Sequence, residues 1–185
     1  MLKRMTVAGE EPVSLAEAKV SARVDGDELD ALIPGYIAAA REQAEHITGR
    51  VYRGGVWRWT GSDWPSGAIA IDSVDSAMVK RWSGSALVSV DGSAFVCAPA
   101  ASGRGTEVVP VLGTSWPDLP SIAAGARVQI DFTLTREVSA VADCVKTYIQ
   151  AQVAGWVNNP EGVTTRQLQM DPRLARLLDQ ERLWL

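Results

Sequence analysis

The period of the hydrophobic pattern changes twice along this chain, and those changes constrain the fold more than any single motif. Across residues 29–47, Leu29, Leu32, Ile33, Tyr36, Ile37, Ala40, Ala44 and Ile47 recur at three- and four-residue spacing. That spacing puts them on one face of a helix. Across residues 51–134 the period becomes two, in VWRWT, AIAID, AMVKRW, ALVSV, AFVCA, EVVPVL and RVQIDFTLT, with Gly, Ser, Pro and Asp between the runs. Such alternation marks half-buried strands. After Arg136 helical spacing returns in Val138, Val141, Ala142, Val145, Tyr148, Ile149, Gln152, Val153 and Trp156. That second stripe is too apolar to stand alone and is expected to pack on the first. The chain therefore reads as an α+β fold: one domain over residues 1–185, with a helical core from 12–50 and 137–159. The core has a short N-terminal helix, a long helix and a late long helix. A β-rich region at 51–135 is inserted into it, and a C-terminal helical tail follows at 160–185.

Local signals sharpen the boundaries. Ser14 with Glu17 three residues on forms a reciprocal capping box, opening a short helix over 15–22. Val24-Asp25-Gly26-Asp27 breaks it, Asp27 is the expected cap of the long helix, and Gly49 its stop. Pro34 falls inside that pattern and is expected to kink the helix or end a first short piece of it. The late helix should finish near Asn158-Asn159-Pro160, and a short one should start after Asp171-Pro172.

With 185 residues, 46% of them hydrophobic and 22% charged, the chain can bury an ordinary core. No apolar run approaches the roughly 20 residues that span a bilayer, and MLKRMTVAGEEPVSL lacks a signal peptide's apolar stretch. A soluble protein made in a cytoplasm, with no membrane partner, is expected. The net charge of −4 argues against a free-standing DNA-binding domain, whose affinity comes from cations displacing counterions. Cys97 and Cys144 lack the spacing of metal or redox pairs and are expected as free thiols.

Reactive constellations are thin. His46 is the single histidine and has no partner for a metal site. Asp25, Asp27, Glu28 and Asp30 lack the order and closing glutamate of a calcium loop, and read as cap and first-turn charges. Ser102-Gly103-Arg104-Gly105-Thr106 lacks the lysine of a phosphate loop and reads as a turn. No catalytic, metal or cofactor-binding residue is assigned, and no enzyme is expected.

Two features could serve assembly. Five of the seven tryptophans, Trp57, Trp59, Trp64, Trp82 and Trp116, fall in the β region. They can pack a small sheet, or lie at subunit contacts, where tryptophan is enriched. Trp57 and Trp59, two apart and so on one face of their strand, are the candidate ring contacts. The tail offers Arg173, Arg176, Leu177, Arg182, Leu183, Trp184 and Leu185. It can fold back on its own core or dock into a neighbour in the helix-in-groove manner.

The segment EEPVSLAEAKVSARVDGDELDALIPGYIAAAREQAEHITGR resembles the N-terminal signature of phage head–tail connector, or adaptor, proteins, some of which are described as possible DNA packaging proteins. There a P-V-(S/T)-L-x-E-A-K opening leads through (R/L)-V-D-x-D-x-x-D into a helix ending E-x-x-T-G-R. Pro12, Val13, Ser14, Leu15, Glu17, Ala18, Lys19, Arg23, Val24, Asp25, Asp27, Asp30, Glu45, Thr48, Gly49 and Arg50 stand at the matching positions. Trp57-Arg58-Trp59 and the late helix ending at Glu161 match more loosely. Pro34 departs from a helix that is usually continuous, and the tail after Pro160 is individual.

The resemblance implies a structural subunit at the head–tail junction of a phage, prophage or gene-transfer particle, in a closed ring of about twelve copies beneath the portal. It implies a portal protein and a tail-side connector or stopper as partners, double-stranded DNA passing without specific binding, and a C-terminal part that reaches the portal. A DNA-packaging accessory that binds nucleic acid is the alternative. Residues 51–60 and 162–185 are expected to carry most contacts. Removing 171–185 is expected to leave a folded monomer that fails to join heads to tails.

Overall fold

The first hydrogen-bond ladder starts at the amino terminus: the Met1 ammonium donates to the Thr60 carbonyl at 2.6 Å, and the Thr60 amide donates back to the Met1 carbonyl at 2.9 Å. The computed structural model describes residues 1–121, 125–159 and 172–183. Its elements, in chain order, are β1 (Leu2–Val7), α1 (Leu15–Ala22), α2 (Ile33–Thr48), β2 (Gly55–Gly61), β3 (Ser76–Trp82), β4 (Leu87–Ser89), β5 (Phe95–Pro99), β6 (Thr106–Pro110), β7 (Val128–Leu134), α3 (Asp143–Asn158) and α4 (Pro172–Arg176). This is an α+β chain with two compact units. One comprises Met1–Gly9 with Gly54–Thr135, the other Glu10–Arg53 with Arg136–Leu185.

In the β unit a five-stranded antiparallel sheet runs β1-β2-β7-β3-β4, and β5 and β6 form a separate antiparallel pair. Strand β7 is central and follows the period of two, with Val128, Ile130, Phe132 and Leu134 buried and Gln129, Asp131 and Thr133 between them. Strand β1 had no counterpart in the sequence pattern. LKRMTV is half charged or polar, and its register with β2 slips between Arg4 and Thr6, which breaks the alternation. AIAID is not a strand. Only Ile69 pairs, with Thr106, while the Ile71 amide turns back to the Ile69 carbonyl at 2.7 Å and the Thr106 hydroxyl holds the Ile71 carbonyl.

In the helical unit, α1 opens as the capping box requires. The Glu17 amide donates to Ser14 Oγ, and the Ser14 amide donates to Glu17 Oε2 at 2.7 Å. These bonds from the Ser14 backbone and hydroxyl hold the Glu17 carboxyl below its ordinary range. The long helix begins at Ile33 rather than at Asp27. Residues 27–32 spend their hydrogen bonds on short turns, such as Leu32 N–H to the Leu29 carbonyl, and Lys19 Nζ takes the Asp30 and Asp27 carboxylates at 2.6 and 3.6 Å. Pro34 accordingly sits in the first turn of α2 rather than inside the helix, where its missing N–H has no intrahelical acceptor to lose. Gly49 closes α2 at φ 72°, a left-handed conformation that glycine adopts without penalty. Helix α3 starts at Asp143, since residues Val138–Ala140 form a single 3₁₀ turn.

Ile33, Ile37, Ala40 and Ala44 of α2, Val145, Tyr148, Ile149 and Val153 of α3, Ala18 of α1, and Val13, Tyr52, Val141 and Leu178 form one buried cluster. Inside this unit Arg41 is 1% exposed. It is bonded to Glu45 (2.8 Å) and Glu11 (2.9 Å), and Glu11 also pairs with Arg53 at 2.6 Å. Burial disfavours the Arg41 charge, but Glu45 and Glu11 outweigh it and the guanidinium is held more firmly protonated than usual.

Candidate assembly surfaces

Trp57 and Trp59 stand opposite Phe132 and Ile130 of β7, on the face of the sheet whose β7 side chains are buried. Both rings are half-buried. The Arg4 guanidinium lies 5.8 Å from the Trp57 ring centre, within cation–π range. The Trp59 ring crosses Gly61 so closely that a Cβ there would fall 2.3 Å from it. On the opposite face Arg58 grips Asp131 with two bonds, 2.6 and 2.9 Å, and Gln129 donates to the same carboxylate at 3.0 Å. Burial raises the Asp131 carboxyl, the Arg58 bonds and charge lower it more, and the net shift is downward.

Trp64 and Trp116 stack at 4.2 Å with planes 6° apart, and the Trp64 indole donates to the Pro117 carbonyl. Together with Arg127, which bonds the Ser62 and Leu119 carbonyls, they pin the base of the loop after β6. Leu112 in that loop is 100% exposed, and the cross-strand pair Val96–Val109 is exposed on the hairpin beside it in sequence. Met5 and Val7 on the free edge of β1 and Met78 on β3 are exposed as well. Exposed apolar side chains on a sheet edge and a braced loop are the materials of protein contacts. A lone Leu or Val in a polar turn carries no periodic signal, so these positions do not stand out in the sequence.

The tail is ordered against its own unit over residues 174–183. Leu178 is 0% exposed and Leu183 8%, and Leu174 packs on the same core. The Leu183 amide donates to the Thr48 carbonyl at 2.8 Å. Arg50 Nε donates to the Glu181 carbonyl at 2.6 Å and lies 3.4 Å from its carboxylate. Arg182 pairs with Asp179 at 3.1 Å. Arg176 and Leu177 face solvent. Trp184, Leu185, Asp171 and the Arg173 side chain lie outside the described residues. Because Leu178 belongs to the core, a deletion of 171–185 strips the helical unit as well as the tail, so it does not isolate a docking role.

The signature residues thus have structural work. Val13 and Ala18 are core, Ser14 and Glu17 cap, Lys19 holds Asp30, Arg23 takes the left-handed position after α1 (φ 56°), and Glu45 accepts Arg41 and the Tyr52 amide. Thr48, Gly49 and Arg50 end α2 and seat the tail. His46 is exposed in the last turn of α2. No cluster of three or more metal-ligating side chains and no membrane-crossing helix occurs among the described residues.

No protein-family model and no curated protein matches the sequence. Solved structures do match. A chain in the neck of an empty gene transfer agent (GTA) particle, computed with C6 symmetry, aligns at TM-score 0.73 and 19% identity over 98% of this chain and 95% of that one. A chain of the native GTA virion aligns at 0.74 and 22% identity, again over 98% and 95%. A chain in the native GTA neck, computed with C12 symmetry, aligns at 0.69 and 22% over 98% and 94%. This chain shares their fold. The likeness runs through both units and nearly the full length of each chain.

Proposed function

We propose that this protein is a structural neck subunit of a phage-like particle: a head–tail connector that forms a ring beneath the portal, joins head to tail and continues the DNA channel. The full-length likeness to chains from GTA particles, two of them neck reconstructions, carries this reading. Their C6 and C12 symmetries favour a cyclic arrangement, which requires two different complementary faces on each copy. The braced loop at Leu112, the free edge of β1, the sheet with Trp57 and Trp59, and the tail side chains Arg176 and Leu177 are the surfaces for it. The portal, a tail-side stopper and neighbouring copies are the partners. The acidic balance of −4 suits a wall that DNA slides past.

Deletion of the gene from a particle-producing strain tests this. Filled heads and free tails accumulating unjoined, with joining restored by the gene in trans, is the expected result. Complete, tailed particles from the deletion strain would contradict it.

A further inference from the structure

Formal charge divides unevenly between the two units. The helical unit holds fifteen Asp and Glu against eleven Lys and Arg, and the β unit seven of each, which together make the chain's 22 and 18. The whole excess of −4 therefore lies on the helical unit. Within the neutral unit the sheet sorts its charges further. The strand registers line up Lys3, Arg58, Asp131 and Met78 in one cross-strand row and Thr60, Gln129 and Lys80 in the next, on the face opposite the buried Ile130 and Phe132. This face is open: Lys3 and Thr133 are exposed, Met78 is 54% exposed, and Leu87, beside it on β4, is 39% exposed. Its three cations face one carboxylate, Asp131, which Arg58 already holds. The complementary surface lies in the other unit. Asp25, Asp27 and Glu28 are exposed in the turn between α1 and α2, where the Asp27 side chain is 96% exposed.

We propose that the polar face of the sheet, through Lys3, Lys80, Met78 and Leu87, docks a second copy of this chain by that copy's acidic turn at 25–28. The inference rests on the neck reading above and names its self-contact. A cyclic arrangement needs two unlike, complementary faces on each copy, and the charges supply such a pair. Aligned chains come from C6 and C12 reconstructions, where copies repeat about one axis. Duplex DNA is a poorer occupant, because Asp131 at the centre of the face repels phosphate while Met78 and Leu87 suit a protein surface. Exposed charges orient an encounter more than they hold it. The contact is therefore weak between free subunits and strengthened when copies are arrayed together.

A carbodiimide joins an amine to a carboxylate where the two touch, and it is applied both to the purified full chain, concentrated at low salt, and to particles. The expected product is a ladder of covalent multimers in which Lys3 or Lys80 is linked to Asp25, Asp27 or Glu28. Lys3→Glu with Lys80→Glu should cut the ladder about tenfold, and adding Asp25→Lys with Glu28→Lys to the same chain should restore it with the linkage reversed. Should the double variant not fold, Lys3→Glu, at an exposed position, decides alone. No ladder from either source, multimers linked only through other residues, or a ladder unmoved by charge reversal overturns the proposal. Salt-sensitive duplex binding that Lys3→Glu abolishes, without multimers, assigns the face to DNA and overturns it too. Particles that lack this chain contradict the neck reading instead, while the purified chain still decides whether the contact exists.

Discussion

Arg41 donates to Glu45 one helical turn away, at 2.8 Å, with its guanidinium almost wholly out of solvent. Glu45 in turn accepts the Tyr52 amide at 3.0 Å, tying the chain after α2 to the helix. The pair is thus part of how residues 45–53 are placed, which includes the Thr48–Arg50 seat of the tail.

Removing one member of such a buried pair leaves the other charged and unpaired. Arg41→Met is expected to destabilise the helical unit by about 3–5 kcal/mol, mostly through stranded Glu45 and Glu11. Urea unfolding followed by helical circular dichroism checks this. A loss below about 1 kcal/mol would show that the carboxylates find other partners.

The Arg58–Asp131 pair makes a pH prediction. The Asp131 carboxyl is depressed in the folded state, so the stability it contributes is fully present above its unfolded value, near pH 4, and is lost as pH falls through the lower folded value. Asp131→Asn should therefore flatten the acid limb of a stability–pH curve below about pH 4 and lower stability at neutral pH. An unchanged acid limb would show that the pair makes no folded-state contribution.

Neighbouring leucines in the tail should behave oppositely. Leu178→Ala removes a fully buried side chain and is expected to cost about 2–5 kcal/mol, whereas Leu177→Ser, at an exposed position, should stay within about 0.5 kcal/mol. Thermal unfolding of the two variants separates them. If Leu177→Ser also impairs joining, it marks a contact independent of stability.

Much of this architecture is legible in the chain. The change of period locates the helices and most strands because burying one face of an element demands it. The Ser14–Glu17 box and Gly49 are visible because their chemistry is local. The start of α2 lies beyond its apparent caps because Asp27 and Asp30 are drawn to Lys19. Strand β1 is not legible because its partner lies more than fifty residues away and a register slip hides its alternation. The seat of the tail could be read only as a motif, Thr48-Gly49-Arg50, since nothing local links Arg50 to Glu181.

A chain that lines a DNA passage should not hold DNA. With a net charge of −4, the purified protein is expected to show no salt-sensitive affinity for duplex DNA by fluorescence anisotropy at physiological ionic strength. Binding that falls steeply with added salt would favour a packaging accessory.

The most direct test of the central claim is a reconstruction of the particle's head–tail junction with this chain identified by a tag in density. The account predicts a closed ring of this chain between portal and tail, with the sheet edge and the Leu112 loop at contacts. Finding the chain in the capsid shell or the tail tube, or absent from the particle, would contradict it.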